Sequence, residues 1–565
     1  MGQQRSRRAR KRTGLDRRHF LKSAAAGLAA STLPLLPEDG NAAQAQTAKL
    51  SFVHGVASGD PLRDRVILWT RVTVPGGGPV TVEYRIATDP SLQTLVQTGA
   101  TITDASRDHT VKIDAAGLEP GRTYYYRFNV GAVRSPVGRT RTLPVGNVQR
   151  LRLAVASCSS LAHGFFNAYA RIAERADLDL VLHLGDYIYE YGNGDYGSAR
   201  NYEPPHEILT LADYRTRHAQ YKRELELQEM HRQHPIIAIW DDHEFANNAY
   251  KDGAENHQPD TEGDWATRVA NALQAYYEWM PTRVPDANDL RRNWRNFSIG
   301  NLADLYMLEE RVGARDEPIP APVQLLPQAG LGVYTQTGAY TDPNRQLLGV
   351  TQEDWLINGL RGAPRNKWKL IGQGVMFAQL KVLGLPNATR LSQYLNVDQW
   401  DGYDPRRDRI FEALTGTAQH DPVDNVVVLT GDIHCSWAAD LTPDPNKLLG
   451  PRFGGYNALT GEGSRAVEFV CTSVTSAGLD NLQALSPVIR ANNPHFKYIN
   501  LDQRGYMVLD ITPERVSNEW WYVTTIDRRD RGQSFAIALE NRRNENRLRR
   551  GSRSTPKANP PPLAP

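Results

Sequence analysis

The stretch His183-Leu184-Gly185-Asp186-Tyr187-Ile188-Tyr189 decides how the rest of the chain is read. A largely apolar run, residues 178–184, breaks off at Gly185-Asp186, and Tyr189 follows three residues later. Such a run predicts a parallel strand covered on both faces. Open α/β sheets hold ligands in the crevice at the carboxyl ends of their strands. An aspartate fixed there can bridge two cations, and a tyrosine three residues on can turn its phenolate onto one of them. Taken alone, the pattern is a weak signal that also fits a strand end whose Asp caps the next helix and whose Tyr packs.

The pattern recurs, and that decides between the two. Residues 151–156 lead into Ser157-Cys158, and residues 235–240 into Asp241-Asp242-His243-Glu244. Residues 426–430 lead into Gly431-Asp432-Ile433-His434. If all four apolar runs lie in one parallel sheet, their metal-competent ends converge at one edge. Strands alternate with helical patterns from about Arg150 onward, which predicts a layered α/β domain over residues 146–540.

The flanking segments differ in kind. Residues 1–45 read as an export address: basic residues ending in Arg17-Arg18, a short Ala-rich apolar stretch, then Ala43-Gln44-Ala45. The twin arginine points to the translocase that exports folded proteins, and hence to a secreted or periplasmic product. The apolar stretch is too short for a permanent membrane span. Residues 46–145 hold short alternating runs between Gly/Pro/Asp turns. Tyr124, Tyr126, Phe128 and Val130 alternate, and Leu118-Glu119-Pro120 before Tyr124 reads as the tyrosine corner of a fibronectin/Ig-like β-sandwich. Residues 541–565, rich in Arg and Pro, have the composition of a disordered tail.

Charge narrows the function. Residues 1–45 and 542–565 each carry a formal +6 and the whole chain +3, which leaves −9 for residues 46–541. An acidic body argues against a nucleic-acid groove and suits a site holding more than one cation. Cys158, Cys435 and Cys471 are too few for a disulfide scaffold. Cys158 ends a strand, and the other two read as small core residues.

Taken together, these motifs resemble the PhoD-like alkaline phosphatases/phosphodiesterases of the calcineurin-like metallophosphoesterase superfamily. The likeness runs from about residue 50 to about 525. It includes His54-Gly55-Val56-Ala57-Ser58-Gly59-Asp60-Pro61, Leu68-Trp69-Thr70-Arg71, the four strand-end motifs with Asn247-Asn248, Trp400-Asp401-Gly402-Tyr403 and Asn493-Pro494-His495. Cys158, Asp241-Asp242 and Asp432 depart from the wider superfamily and follow the PhoD-like pattern. The resemblance implies iron plus calcium, and the donor chemistry agrees. Cys158, Tyr189, His434 and a bridging Asp186 suit Fe³⁺. Asp242, Asp432, Asn247 and Asn248 are oxygen donors that favour Ca²⁺, Mg²⁺ or Mn²⁺ over zinc. Within the third motif Asp242 or either Asn can be the ligand.

The expected reaction is hydrolysis of phosphate esters by a metal-activated water, with Asp242 and Asn248 at the reacting centre. His243 would hydrogen-bond the phosphate or protonate the departing alkoxide, and His495 would line the substrate pocket. A phospholipase D-like or teichoic-acid phosphodiesterase fits the same motifs. A cell-surface binding module with a residual metal site is the non-enzymatic alternative. The export reading gives the first expected outcome: changing Arg17→Lys together with Arg18→Lys traps precursor in the cytoplasm, as followed by cell fractionation.

Overall fold

The computed structural model describes residues 49–326, 331–447 and 455–565, so the export address lies outside the described residues. Residues Ala48–Pro565 make one unit. Its centre is a ten-stranded sheet in which Leu151–Ala156, Leu180–Leu184 and Ile236–Ile239 are adjacent and parallel. A seven-stranded sheet holds Ala303–Met307, Trp368–Gln373 and Val426–Thr430 as parallel neighbours.

Alternation along each strand explains the unbroken apolar runs. Leu180, Leu182 and Leu184 join Leu153, Val155, Ile237 and Ile239 in a core shared with Leu305, Leu370, Val427 and Leu429 of the second sheet. The intervening Val181, Ala154 and Ala238 face a different core, built with residues of the helices Asn167–Ala173, Leu211–Lys222, Leu225–Gln233 and Trp265–Trp279. The outer side of the second sheet packs residues of Val350–Gly362 and Asp404–Thr415. Among the described residues no helix is long and apolar enough to cross a membrane.

Several expectations are corrected. The four motif-bearing strands do not share one sheet, because Val426–Thr430 belongs to the second one. An unbroken apolar run reports two buried faces and does not say which sheet buries them. The two sheets nevertheless end their parallel strands at the same edge, where Gly431 packs against the Leu184 carbonyl and Ser157.

Residues 46–145 pack two sheets on a core of their own, but one of those sheets is continuous with the large one. Val56–Gly59, Arg65–Arg71 and Thr110–Ala116 complete the ten-stranded sheet, with Val56–Gly59 pairing parallel to Ile236–Ile239. Only Val80–Ala87, Leu95–Thr103, Thr123–Val130 and two short strands form a further sheet, which shares a core with the first three. The tyrosine corner is present: the Glu119 N–H donates to the Tyr124 hydroxyl over 2.8 Å. The Pro/Gly-rich segment 317–336 contains the strands Val323–Leu326 and Leu331–Thr335.

The tail is ordered rather than disordered. Gln533–Arg542 and Leu548–Arg550 close the edge of the large sheet. Beyond them the Ser554 N–H donates to Glu519 over 2.6 Å, Lys557 pairs with Asp179, and Tyr125 donates to the Pro562 carbonyl over 2.6 Å. Its basic and polar groups need no core of their own, because they satisfy buried carboxylates of the body.

Buried neutral histidines tie stability to pH. His54, His183, His218 and His234 are buried, and loss of hydration lowers each to about 3. An unfolded histidine titrates near about 6.5, so below that pH the unfolded chain binds more protons. Stability from these groups is full above about pH 7 and drains as the pH falls from about 6.5 towards 3. These histidines make urea midpoints fall as the pH drops across that range.

Candidate metal centre

Most ligand-type side chains sit two to five residues past their strands, where the backbone turns sharply. Cys158, Asp186, Asp432 and His434 have φ of 59°, 55°, 59° and 59°, and Asn248 has 53°. Left-handed backbone at non-glycine residues is uncommon and concentrates at functional sites. The preceding Gly185, at φ 98°, is required by a close approach: a Cβ there would lie 2.4 Å from Cβ of Asp241.

Glu244 locks the turns together. Its carboxylate accepts the N–H groups of Asp186 (3.2 Å), Tyr187 (2.6 Å) and Asp241 (2.8 Å). Burial, then the Asp186 charge, pushes Glu244 up to about 8.

Three sets of donor atoms result, each within 4.8 Å of one another: Cys158, Asp186 and His434; Asp186, Asp242 and His243; Asp241, Asp242 and Asp432. Tyr189 completes the first, its hydroxyl 3.0 Å from Asp186 Oδ2 and 3.2 Å from His434 Nε2. Asp186 thus belongs to two sets, as a bridging carboxylate must. His434 Nδ1 donates to the Ala477 carbonyl over 2.7 Å, which leaves Nε2 aimed at the site in the manner of metal-binding histidines. Ser476 Oγ lies 2.6 Å from the Tyr189 hydroxyl and 2.9 Å from the Cys158 carbonyl, tying those two residues.

The amides of the third motif are oriented by Glu255. Its Oε2 accepts from Nδ2 of Asn248 (2.6 Å) and of Asn247 (3.3 Å), which leaves both amide oxygens for another partner. The Asn248 N–H also donates to Asp242 over 2.6 Å. His243 stacks on Tyr189, with centroids 4.1 Å apart, and its Nδ1 pairs with Glu190 over 2.7 Å. Burial opposes a charge on His243, but Asp242, Glu190 and Asp186 outweigh it and hold the ring well above its ordinary range.

The donor set fits cations. Oδ1 of Asp186, Oδ1 of Asp242 and Oδ2 of Asp241 are buried without a hydrogen-bond partner. Buried oxygens of that kind ordinarily find a donor or an ion. Burial, reinforced by Asp186, pushes the Cys158 thiol and the Tyr189 phenol far up. A bound cation reverses that preference by binding the deprotonated forms.

Against these carboxylates stands Arg311, fully buried, paired with Asp241, with Asp398 (2.8 Å), with Asp432 (2.7 Å) and more distantly with Asp242 (3.5 Å). Burial raises Asp432 to about 6 despite Arg311, with Asp398, Asp242 and Asp186 adding to the rise. Asp242 is held low: burial opposes this, and Arg311 and His243 overcome it.

His495 is corrected. It is buried at 1% exposure, and its Nε2 accompanies the Gln379 carbonyl at 3.0 Å, so it packs inside rather than lining a pocket. The sequence reading also gave no role to Glu190, Glu244, Glu255, Arg311 or Ser476. Arg311 had the available signal, because Glu309-Glu310-Arg311 ends the strand Ala303–Met307 as the other motifs end theirs.

Donors gathered this way at the carboxyl edge of packed parallel strands define a candidate centre for hydrolytic metal chemistry. Comparison with known proteins supplies the family. Residues 153–520 match the PhoD-like phosphatase model and residues 38–144 its N-terminal domain. Alkaline phosphatase D of Bacillus subtilis (strain 168) is 38% identical over 481 residues, covering 82% of this chain and 76% of that one. A solved structure of PhoD superposes with a TM-score of 0.78 at 35% identity, covering 89% of this chain and 93% of that one. The chain belongs to the PhoD-like phosphatase family and is a phosphoric ester hydrolase.

The role given to Glu255 is open to test. Glu255→Ala lowers affinity for a divalent cation about 10–100-fold, the usual cost of losing a partner that orients a ligand. Calorimetric titration measures it, and the fold persists because Glu255 is exposed.

Proposed function

We propose that the protein hydrolyses phosphate monoesters and diesters with water at a two-cation centre. Fe³⁺ is assigned to Cys158, Tyr189, His434 and Asp186. Ca²⁺, or Mg²⁺ or Mn²⁺ in its place, is assigned to Asp186, Asp242, Asp432 and an amide oxygen of Asn248 or Asn247. The observation that carries this reading is Asp186, shared between two donor sets with its Oδ1 buried and unpaired. The cations, when bound, would supply Lewis acidity towards a phosphoryl oxygen and the attacking water.

The chain's own groups do the rest. With Nδ1 on Glu190, His243 keeps Nε2 for the ester, where its elevated proton affinity suits protonation of the departing oxygen. Glu190 holds the ring in place through three partners, His243, the Asn247 N–H (2.7 Å) and Asn256 (2.9 Å). Arg311 keeps Asp241, Asp398 and Asp432 in fixed positions, so their mutual repulsion does not disperse the site. Export as a folded protein through the twin-arginine translocase, to the periplasm or beyond, fits a centre loaded before translocation.

Colour and chelation test the assignment. Thiolate or phenolate on Fe³⁺ gives visible absorption, so purified enzyme is coloured, and Tyr189→Phe shifts or bleaches the band while leaving the ring packed. Cys158→Ala loses iron and turnover while remaining folded by circular dichroism, at a stability cost of about 1–3 kcal/mol. EGTA abolishes hydrolysis of p-nitrophenyl phosphate and Ca²⁺ restores it. A colourless, iron-free native enzyme, or rescue by Zn²⁺ alone, contradicts the assignment.

A further inference from the structure

The segment 192–197 carries into the site an aromatic ring that none of the roles above uses. Asn193, Gly194 and Asp195 are exposed, whereas Tyr196 is half-buried. The segment is anchored at its base. The Asn193 N–H donates to the Pro205 carbonyl over 2.8 Å, and its Oδ1 accepts the Tyr202 N–H over 2.6 Å. Gly197, at φ 82°, lies so close to His163 that a Cβ would meet its ring at 2.9 Å.

The rings define where Tyr196 stands. Its plane lies 16° from that of Tyr189, with centroids 5.6 Å apart, and 17° from that of His243, with centroids 6.2 Å apart. Tyr189 and His243 are themselves 4.1 Å apart. In a column centred on Tyr189 the outer rings would be separated by the sum of the two shorter spacings. The observed 6.2 Å is far less, so Tyr196 stands beside the Tyr189–His243 stack rather than on it. His163 meets it edge-on at 4.5 Å and Tyr191 closes another side at 5.0 Å.

We infer that Tyr196 is a specificity-determining wall: its ring lies beside His243 where the alcohol part of the ester must sit, and it favours flat aromatic or heteroaromatic alcohols over small aliphatic ones. The inference rests on the ester-hydrolase reading and deepens it. His243 Nε2 can protonate the bridging oxygen only if the alcohol lies on its side of the phosphorus. Two rings with no ligand role neighbour His243, Tyr191 at 5.5 Å and tilted by 52°, and Tyr196 at 6.2 Å and nearly parallel at 17°, so Tyr196 is the one that extends a parallel face. An offset or edge-on aromatic contact amounts to about a three- to tenfold preference.

Two non-hydrolysable probes, phenylphosphonate and methylphosphonate, test this as competitive inhibitors of p-nitrophenyl phosphate hydrolysis by the metal-loaded full-length enzyme. The wild type binds phenylphosphonate about three- to tenfold more tightly. Tyr196→Ala erases the preference while the methylphosphonate constant moves less than about twofold, and Tyr196→Phe keeps both values. Tyr196→Leu fills the volume without a π face and replaces the alanine variant if circular dichroism shows that one unfolded. Retention of the preference without the ring overturns the proposal, as does equal weakening of both probes. Wild-type hydrolysis without phenyl preference overturns the wall alone. A wild type that hydrolyses no ester overturns the hydrolase reading as well.

Discussion

The Glu244 carboxylate lies between two neighbouring strand ends and accepts the N–H groups of Asp186, Tyr187 and Asp241. These groups lie just past the ends of their strands, where buried N–H groups need other acceptors. Without that acceptor the turns carrying Asp186 and Asp242 have no reason to stay in register. Left-handed backbone at a non-glycine residue costs about 1–2 kcal/mol, and Cys158, Asp186, Asp432 and His434 all adopt it. The cost is tolerable because the surroundings over-determine each turn. The Cys158 N–H donates to the Gly185 carbonyl over 3.1 Å, and the Gly431 N–H to the Gly374 carbonyl over 2.9 Å.

Electrostatics gives the arrangement its purpose. Asp186, Asp241 and Asp242 are buried and Asp432 is half-buried, within or against one another's donor sets. Arg311 contacts three of them closely or at the margin and also reaches Asp398, yet three carboxylate oxygens remain buried and unpaired. Arg311 and His243 are the cations set against this gathering of carboxylates. A buried charge without a partner is strongly destabilising, which is why these carboxylates are held by buried cationic side chains.

What was legible in the sequence was the position of the chemistry along the chain. Cys158, Asp186, Tyr189, Asp242, Asp432 and His434 all follow apolar runs, and a run ending in a polar residue reads directly as a strand tip. Sheet membership was not legible for residues 426–430, because burial of both faces leaves no mark of the sheet responsible. Glu190, Glu244 and Glu255 act through acceptor atoms placed by tertiary structure, so no spacing announces them. His495 misled because its motif company was right while its side chain turns to a backbone carbonyl in the core. The Arg/Pro-rich terminus misled because composition measures whether a segment can build its own core, and this one binds to an existing body.

The topology also governs the order in which the molecule can be finished. Gly59 pairs with Ile236, and Leu153 with Leu509, so strands made early in synthesis wait for partners made much later. Closing such distant segments is entropically slow, and unpaired strand edges are sticky in the meantime. A chain delivered in sequence across a barrier would expose those edges on the far side for the whole transit. A chain kept together until Arg550 has joined the sheet would cross with its edges already matched.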